Sequence, residues 1–179
     1  GLAVELAAPS ILRLAMTVAA ANVVFALWLF WADRQPVRHH LHEGGTGFDW
    51  SQLTIRQAVL IGFAQICALI PGASRSGVTM TMARQLGLDR LSAARFSLLL
   101  SIPVISGAAV VKLAGLISAD TPPDIASLAA VILLSFLFAL GAIRWMMGWL
   151  AKASFTIFVV YRLGLGVVLF ALIGSGVIS

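Results

Sequence analysis

From Ile125 to Ile143 the chain runs for nineteen residues without a charged side chain. About 20 residues of α-helix cover the hydrocarbon core of a bilayer, and only a structure that satisfies its own backbone hydrogen bonds survives there. That single run therefore calls for a membrane-spanning helix. Three further stretches fit the same reading. Ile11 to Trp31 is apolar apart from Arg13, Thr17 and Asn22, with Trp28 and Trp31 placed for an interfacial belt. Phe96 to Ile117 contains Pro103 and Gly107, which suggest a kink or close packing, and Phe155 to Ile173 is apolar except for Tyr161 and Arg162. Composition agrees: 60% of the 179 residues are hydrophobic and 11% charged, against roughly a quarter charged in a soluble domain. The fold class read from the sequence is all-α and polytopic, one membrane domain over residues 1–179.

Net charge is +5, from twelve Lys and Arg against seven Asp and Glu. The basic residues are dispersed, with no run of five or six, so a nucleic-acid partner is not indicated and the membrane accounts for them. Cys67 is the one cysteine; it can form no intrachain disulfide or cysteine metal cluster, and reads as a small apolar filler. No secretory signal opens the chain, and its start at Gly1-Leu2-Ala3 without an initiator Met is read as a truncation. Residues 33–51, with Pro36, Gly44-Gly45 and His39, His40 and His42, form the solvated loop. The three histidines are read as a chance cluster there, and no metal ligands are assigned.

Residues 55–87 do not fit a simple span. Ala58 to Ile70 is apolar for thirteen residues, about 20 Å of helix, too short to cross. Pro71-Gly72 stops it. A second short helix is expected over Val78 to Leu86, with Gly87 as its cap. Helix, polar elbow and short helix describe a re-entrant hairpin, with a kinked full span as the alternative. Charge supports re-entry. With a hairpin, Arg34, Arg38, Arg56, Arg84, Arg90, Arg95, Arg144 and Lys152 lie on one side, facing Arg13, Lys112, Asp120 and Asp124 on the other. The positive-inside rule then makes the first side cytoplasmic.

Arg75 carries the chemistry. An arginine at membrane depth costs several kcal/mol unless it meets a counter-charge or a water-filled cavity, so function is the default reading. Ser74, Ser76 and Thr79 add hydroxyls, and Gly77 opens the backbone just before a helix whose first amides point into the elbow. The guanidinium fork matches phosphate oxygens. Arg75, Ser74 and Ser76 are thus the candidate catalytic residues, the serines as phosphate ligands because no adjacent base is visible to make them nucleophiles. Gly77, Thr79 and Gln65 are candidates for phosphate binding. Arg162, near the middle of its span, is read either as an inward electrostatic group or as the partner of a neighbouring helix. A turn whose arginine snorkels to the headgroups would need none of these hydroxyls.

Gln65, Ala68-Leu69 and Pro71-Gly72-Ala73-Ser74-Arg75-Ser76-Gly77-Val78-Thr79 resemble the second signature motif of the undecaprenyl-diphosphate phosphatases, the bacitracin-resistance family. The likeness continues through Gly87, Arg90, Ala93-Ala94, Phe96-Ser97, Pro103, Gly107-Ala108 and Tyr161-Arg162. The resemblance implies two inverted repeats, each with a re-entrant hairpin, one of them largely missing from this chain. It implies a multi-pass protein of the bacterial inner membrane that removes the terminal phosphate from an isoprenoid diphosphate lipid, recycling the carrier for peptidoglycan synthesis. It also implies a divalent cation, Mg or Ca, for which this chain shows no ligands. An earlier family motif, with two glutamates, a serine pair and a histidine, is absent here, so the chain reads as the C-terminal two-thirds of such a protein, with a homo-oligomer left open. The rival reading is a lipid-phosphate or anion transporter, because broken helices facing an anion at mid-membrane also serve transport.

Overall fold

The computed structural model describes residues 15–37, 53–117 and 124–175. The histidine cluster at His39, His40 and His42, and residues 11–14 of the expected first span, lie outside the described residues. Every regular element among the described residues is helical: α1 (Ala15–Asp33), α2 (Ile55–Ala64) continued by a 3-10 turn (Gln65–Leu69), α3 (Arg75–Gln85), α4 (Arg90–Ile117), α5 (Ile125–Leu150) and α6 (Thr156–Gly174). Four of them, α1, α4, α5 and α6, are long and apolar enough to cross a membrane. The protein is an all-α, multi-pass membrane protein.

The expected spans exist, with shifted ends. α4 begins at Arg90, six residues before the apolar run, because Asp89 caps it by accepting from the Ser92 amide at 2.9 Å. α5 continues past Arg144 to Leu150. Pro103 sits inside α4 without ending it. α2 opens with a capping box, in which the Gln57 amide donates to Thr54 Oγ1 at 3.2 Å and the Thr54 amide to Gln57 Oε1 at 2.9 Å. α3 starts at Arg75, three residues earlier than the apolar pattern suggests, and closes at Gly87 in a Schellman turn. There the Gly87 amide donates to the Arg84 carbonyl at 2.9 Å and the Leu88 amide to the Ala83 carbonyl at 3.1 Å, with Gly87 at φ +95°.

The chain forms two compact units, residues 98–153 and the rest. The smaller unit holds most of α4 and all of α5, whose described side chains are mostly apolar and exposed, as lipid-facing helices require. The larger unit is built on the pairing of α1 with α6, and α3 packs on α1. α1 buries Ala19, Ala21, Asn22, Phe25, Ala26, Leu29 and Ala32 along one face, and α6 buries Val159, Arg162 and Gly166. Alanine on one side and glycine on the other let the backbones approach. A Cβ on Gly166 would stand 2.5 Å from Val23 Cγ2, whereas Gly164 faces open space. Of the two glycines, Gly166 makes the contact.

One end of this unit is tied by a carboxylate. Asp33 is not the first residue of a solvated loop, as the sequence reading had it. It ends α1, its side chain is 8% exposed, and it accepts from Arg90 Nε at 2.8 Å and Nη2 at 3.1 Å. Arg84 Nε lies 3.4 Å from the same carboxylate, and the Phe155 amide donates to it at 3.3 Å. Arg84, 2% exposed, also donates to the Asp33 and Gln35 carbonyls, each at 2.9 Å, and to that of Leu88. The C-terminal ends of α1 and α3 thus meet the N-terminal ends of α4 and α6. With Trp28 Nε1 donating to Gln85 Oε1 at 2.9 Å, this cluster fixes where α3 ends.

Candidate anion site at the elbow

The elbow follows from three residues. Ile70 to Ala73 is a β-turn with proline at its second position and glycine, φ +92°, at its third, closed by the Ala73 amide on the Ile70 carbonyl at 3.1 Å. That is the pattern of a type II turn, whose third position favours glycine. Gly72 is required for a second reason: a Cβ there would lie 2.5 Å from the backbone oxygen of Val18 in α1. Ser74 then caps α3 with φ +55° and ψ 114°, a conformation a side chain adopts at a cost of about 1–3 kcal/mol. Its Oγ accepts from the Gly77 amide at 3.4 Å. The turn is seated by Ala73 and Val78, which pack into a cluster with Ala21 and Phe25, and with the half-buried Trp28, Ala64 and Cys67. Cys67 serves as apolar filler.

Depth follows from the same contacts. Asn22 lies eleven residues before Asp33 in α1, about 16 Å along the helix. The elbow, which touches Val18 and the Asn22–Arg162 pair, therefore lies well inside the span.

Three features point into this elbow. The helix geometry leaves the amides of Arg75 and Ser76 without an intrahelical acceptor, at the positive end of the α3 dipole. Ser74 and Ser76 are exposed at its mouth. Arg75 is half-buried, and its Nη2 is buried without a hydrogen-bond partner among the described residues. A buried guanidinium nitrogen without an acceptor is costly, and an anion would relieve it.

Arg162 proves to be under the elbow. It is 8% exposed; its Nε donates to Asn22 Oδ1 at 2.9 Å and its Nη2 to the Gly72 carbonyl at 2.6 Å, while Asn22 Nδ2 donates back to the Arg162 carbonyl at 2.7 Å. Its Nη1 reaches within 2.9 Å of where a Cβ on Gly77 would be. So Gly77 leaves room for a guanidinium beneath the first turn of α3. Arg162 pairs with a neighbouring helix, through Asn22 of α1, and also bonds the Gly72 carbonyl of the elbow.

Thr79 goes elsewhere. It is 1% exposed, and its hydroxyl bonds to the carbonyls of Arg75 (3.0 Å) and Ser76 (3.2 Å) and to Ser97 Oγ of α4 at 2.6 Å. These contacts anchor α3 to α4. Gln65 is half-buried at the start of the 3-10 turn. Asn22 and Asp33, which the sequence reading does not single out, hold the arginines Arg162, Arg84 and Arg90 in place. Asn22 showed only as a polar residue in an apolar run, which was the available signal.

The described carboxylates are all engaged: Asp33 with Arg84 and Arg90, Asp89 with Ser92, Asp124 with the start of α5. Hydrogen bonds from Ser127 and from the amides of Ala126 and Ser127 hold the Asp124 carboxyl below its usual range. No group of three His, Cys, Asp or Glu that could hold a metal occurs among the described residues. The elbow's donors are cationic guanidiniums, amides and hydroxyls, a set that suits an anion and does not fit a divalent cation.

The sequence profile of the bacitracin resistance protein BacA family matches residues 1–168. An undecaprenyl-diphosphatase of Alteromonas mediterranea is 43% identical over 88% of this chain and 56% of its own length. Undecaprenyl-diphosphatase 1 of Streptomyces avermitilis is 39% identical over 98% of the chain and 62% of its own length. The chain thus spans less than two-thirds of either relative.

Proposed function

Because the chain belongs to the BacA family of bacitracin resistance proteins, we propose that it supplies the phosphate clamp of an undecaprenyl-diphosphate phosphatase. The observation that carries this reading is Arg75, half-buried at the N-terminus of a mid-span helix, with one guanidinium nitrogen buried and unbonded. The names of the two relatives support the substrate.

In this reading the elbow takes the diphosphate headgroup while the isoprenoid chain stays among the apolar helix faces. Arg75 binds phosphate oxygens through its fork, and the amides of Arg75 and Ser76 bind them along the helix dipole. The hydroxyls of Ser74 and Ser76 orient the group. Water attacks the terminal phosphorus, the bond to the bridging oxygen breaks, and lipid monophosphate and inorganic phosphate leave. Charge grows on the bridging oxygen as that bond breaks, and fixed donors in a dry site stabilise it at no reorganisation cost. The described residues supply the clamp. No described carboxylate stands free at the elbow to accept the proton from water.

The re-entrant course belongs to the same proposal. α3 runs from the elbow back to the Asp33 cluster, so its C-terminal end shares a face with the end of α1 and the starts of α4 and α6. We assign that face to the cytoplasm of a bacterial inner membrane, from the charge count.

The test is release of inorganic phosphate from an isoprenoid diphosphate by the protein in detergent. Arg75→Ala should lower turnover by a factor of hundreds, the usual consequence of losing about 3–4 kcal/mol of preorganised stabilisation. Arg75→Lys should recover little, because the fork is lost. Unchanged turnover in folded Arg75→Ala would remove the clamp.

A further inference from the structure

We infer that Arg162 is a positioning residue whose charge, deliberately left unneutralised by Asn22, sets the affinity of the elbow for a diphosphate over a monophosphate. This rests on the clamp reading above and goes beyond it, because Arg162 acts on the ligand through the turn beneath it.

An arginine inside a span pairs either with an opposite charge or with backbone carbonyls, and only the first neutralises it. Here its bonds go to the Asn22 amide oxygen and the Gly72 carbonyl, both neutral. Among the described residues it has no carboxylate partner: Arg84 and Arg90 take Asp33 at the far end of α1. Replacing one atom, with aspartate at position 22, would supply the counter-charge, yet the position holds asparagine. The reciprocal bond from Asn22 Nδ2 to the Arg162 carbonyl fixes that amide's orientation and so aims its oxygen at the guanidinium.

The second part is where the charge sits. Nη2 holds the Gly72 carbonyl, which fixes the left-handed residue of the turn, and Nη1 lies against Gly77 in the first turn of α3. Arg162 thereby props the segment from Gly72 to Gly77 from below while Arg75 stands at its mouth. The Arg162 guanidinium and the N-terminus of α3, which opens with Arg75, form one cationic locus with no described acid bonded to it. A monophosphate ester needs less positive charge than this; a diphosphate, with its extra ionised oxygens, matches it. Neutralising a unit charge within a side chain's length of such a ligand, at an effective dielectric of about 20, costs on the order of tenfold or more in affinity.

The experiment measures binding of farnesyl diphosphate, farnesyl monophosphate and inorganic pyrophosphate to the purified 179-residue chain in detergent. Asn22→Ala and Asn22→Asp both lose the bond to the Arg162 carbonyl, and Asn22→Ala also loses the acceptor for Arg162 Nε, so its structural damage is the greater. Only Asn22→Asp neutralises the charge. The inference expects diphosphate affinity to fall on the order of tenfold further in Asn22→Asp than in Asn22→Ala, with the monophosphate much less affected. Should Asn22→Asp fail to fold, Arg162→Gln against Arg162→Lys gives the same reading: Gln keeps two donors without charge, and Lys should restore the diphosphate preference. Equal diphosphate affinities in Asn22→Ala and Asn22→Asp, or in Arg162→Gln and Arg162→Lys, would overturn the inference alone. No binding of any probe by the wild-type chain would overturn the clamp and the inference together. Binding of pyrophosphate as tightly as farnesyl diphosphate would assign the preference to the headgroup; weaker pyrophosphate binding would add a share for the isoprenoid, and the charge effect must appear in both.

Discussion

Gly72→Ala should damage the protein more than any other single added methyl in the elbow, and the structure gives the size of the effect. The new Cβ would meet the Val18 carbonyl oxygen at 2.5 Å and its carbon and Cα at 3.2 Å. These are backbone atoms of α1, which cannot swing aside as a side chain can, so overpacking alone costs about 1–3 kcal/mol. The φ of +92° adds about 1–2 kcal/mol for an L-residue. If the turn moves to relieve the clash, the bond from Arg162 to the Gly72 carbonyl weakens, and a charged hydrogen bond is worth about 1.5–3 kcal/mol. The expected loss is about 3–5 kcal/mol, a large share of the roughly 5–15 kcal/mol that holds a domain together. Thermal unfolding in detergent reads this as a drop of about 6–20 °C, at roughly 2–4 °C per kcal/mol for this length. Gly62→Ala is the control, since nothing lies within 4 Å of its Cβ inside α2; it should be neutral or stabilising by up to ~1 kcal/mol. A Gly72→Ala protein that melts within a degree or two of wild type would refute the close approach of the elbow to α1.

Asp33→Asn removes the carboxylate shared by Arg84 and Arg90 and leaves a buried guanidinium uncompensated, so stability should fall by about 3–5 kcal/mol, measured by thermal or denaturant unfolding. Gly77→Ala pushes on Arg162 Nη1 at 2.9 Å, and because that atom ends a long side chain the melting temperature should change little. Diphosphate affinity, in contrast, should fall several-fold by calorimetry. Single cysteines at Val37 and Ser154, on a Cys67→Ser background, should both resist an impermeant thiol reagent in intact cells and both react in inverted vesicles; labelling from outside would reverse the assigned orientation.

What the sequence revealed, and what it hid, has a physical basis in range. Span positions and the elbow are local: apolar length, a Pro-Gly break and an arginine among hydroxyls are visible within a dozen residues. α3 starts three residues before the apolar pattern does because Arg75-Ser76-Gly77 is polar and ends in a poor helix former, while the Ser74 cap that starts the helix acts through geometry rather than composition. Thr79 looked like a ligand because hydroxyls near an anion site usually are, but Ser97, eighteen residues on, takes its bond. The Asn22–Arg162 pair joins residues 140 apart in sequence, and no periodicity reports such a contact. Asp33 looked solvated because it borders a polar loop, and only the convergence of four helix ends shows that it is buried.

The central claim is that the elbow grips a diphosphate. A structure of the chain with a non-hydrolysable isoprenoid diphosphate bound tests it directly. The account predicts phosphate oxygens at hydrogen-bond distance, about 2.7–2.9 Å, from the Arg75 guanidinium, with others facing the amides of Arg75 and Ser76 and Arg162 still bonded to Gly72 below. A diphosphate bound away from the elbow, with Arg75 Nη2 still unpartnered, would contradict it.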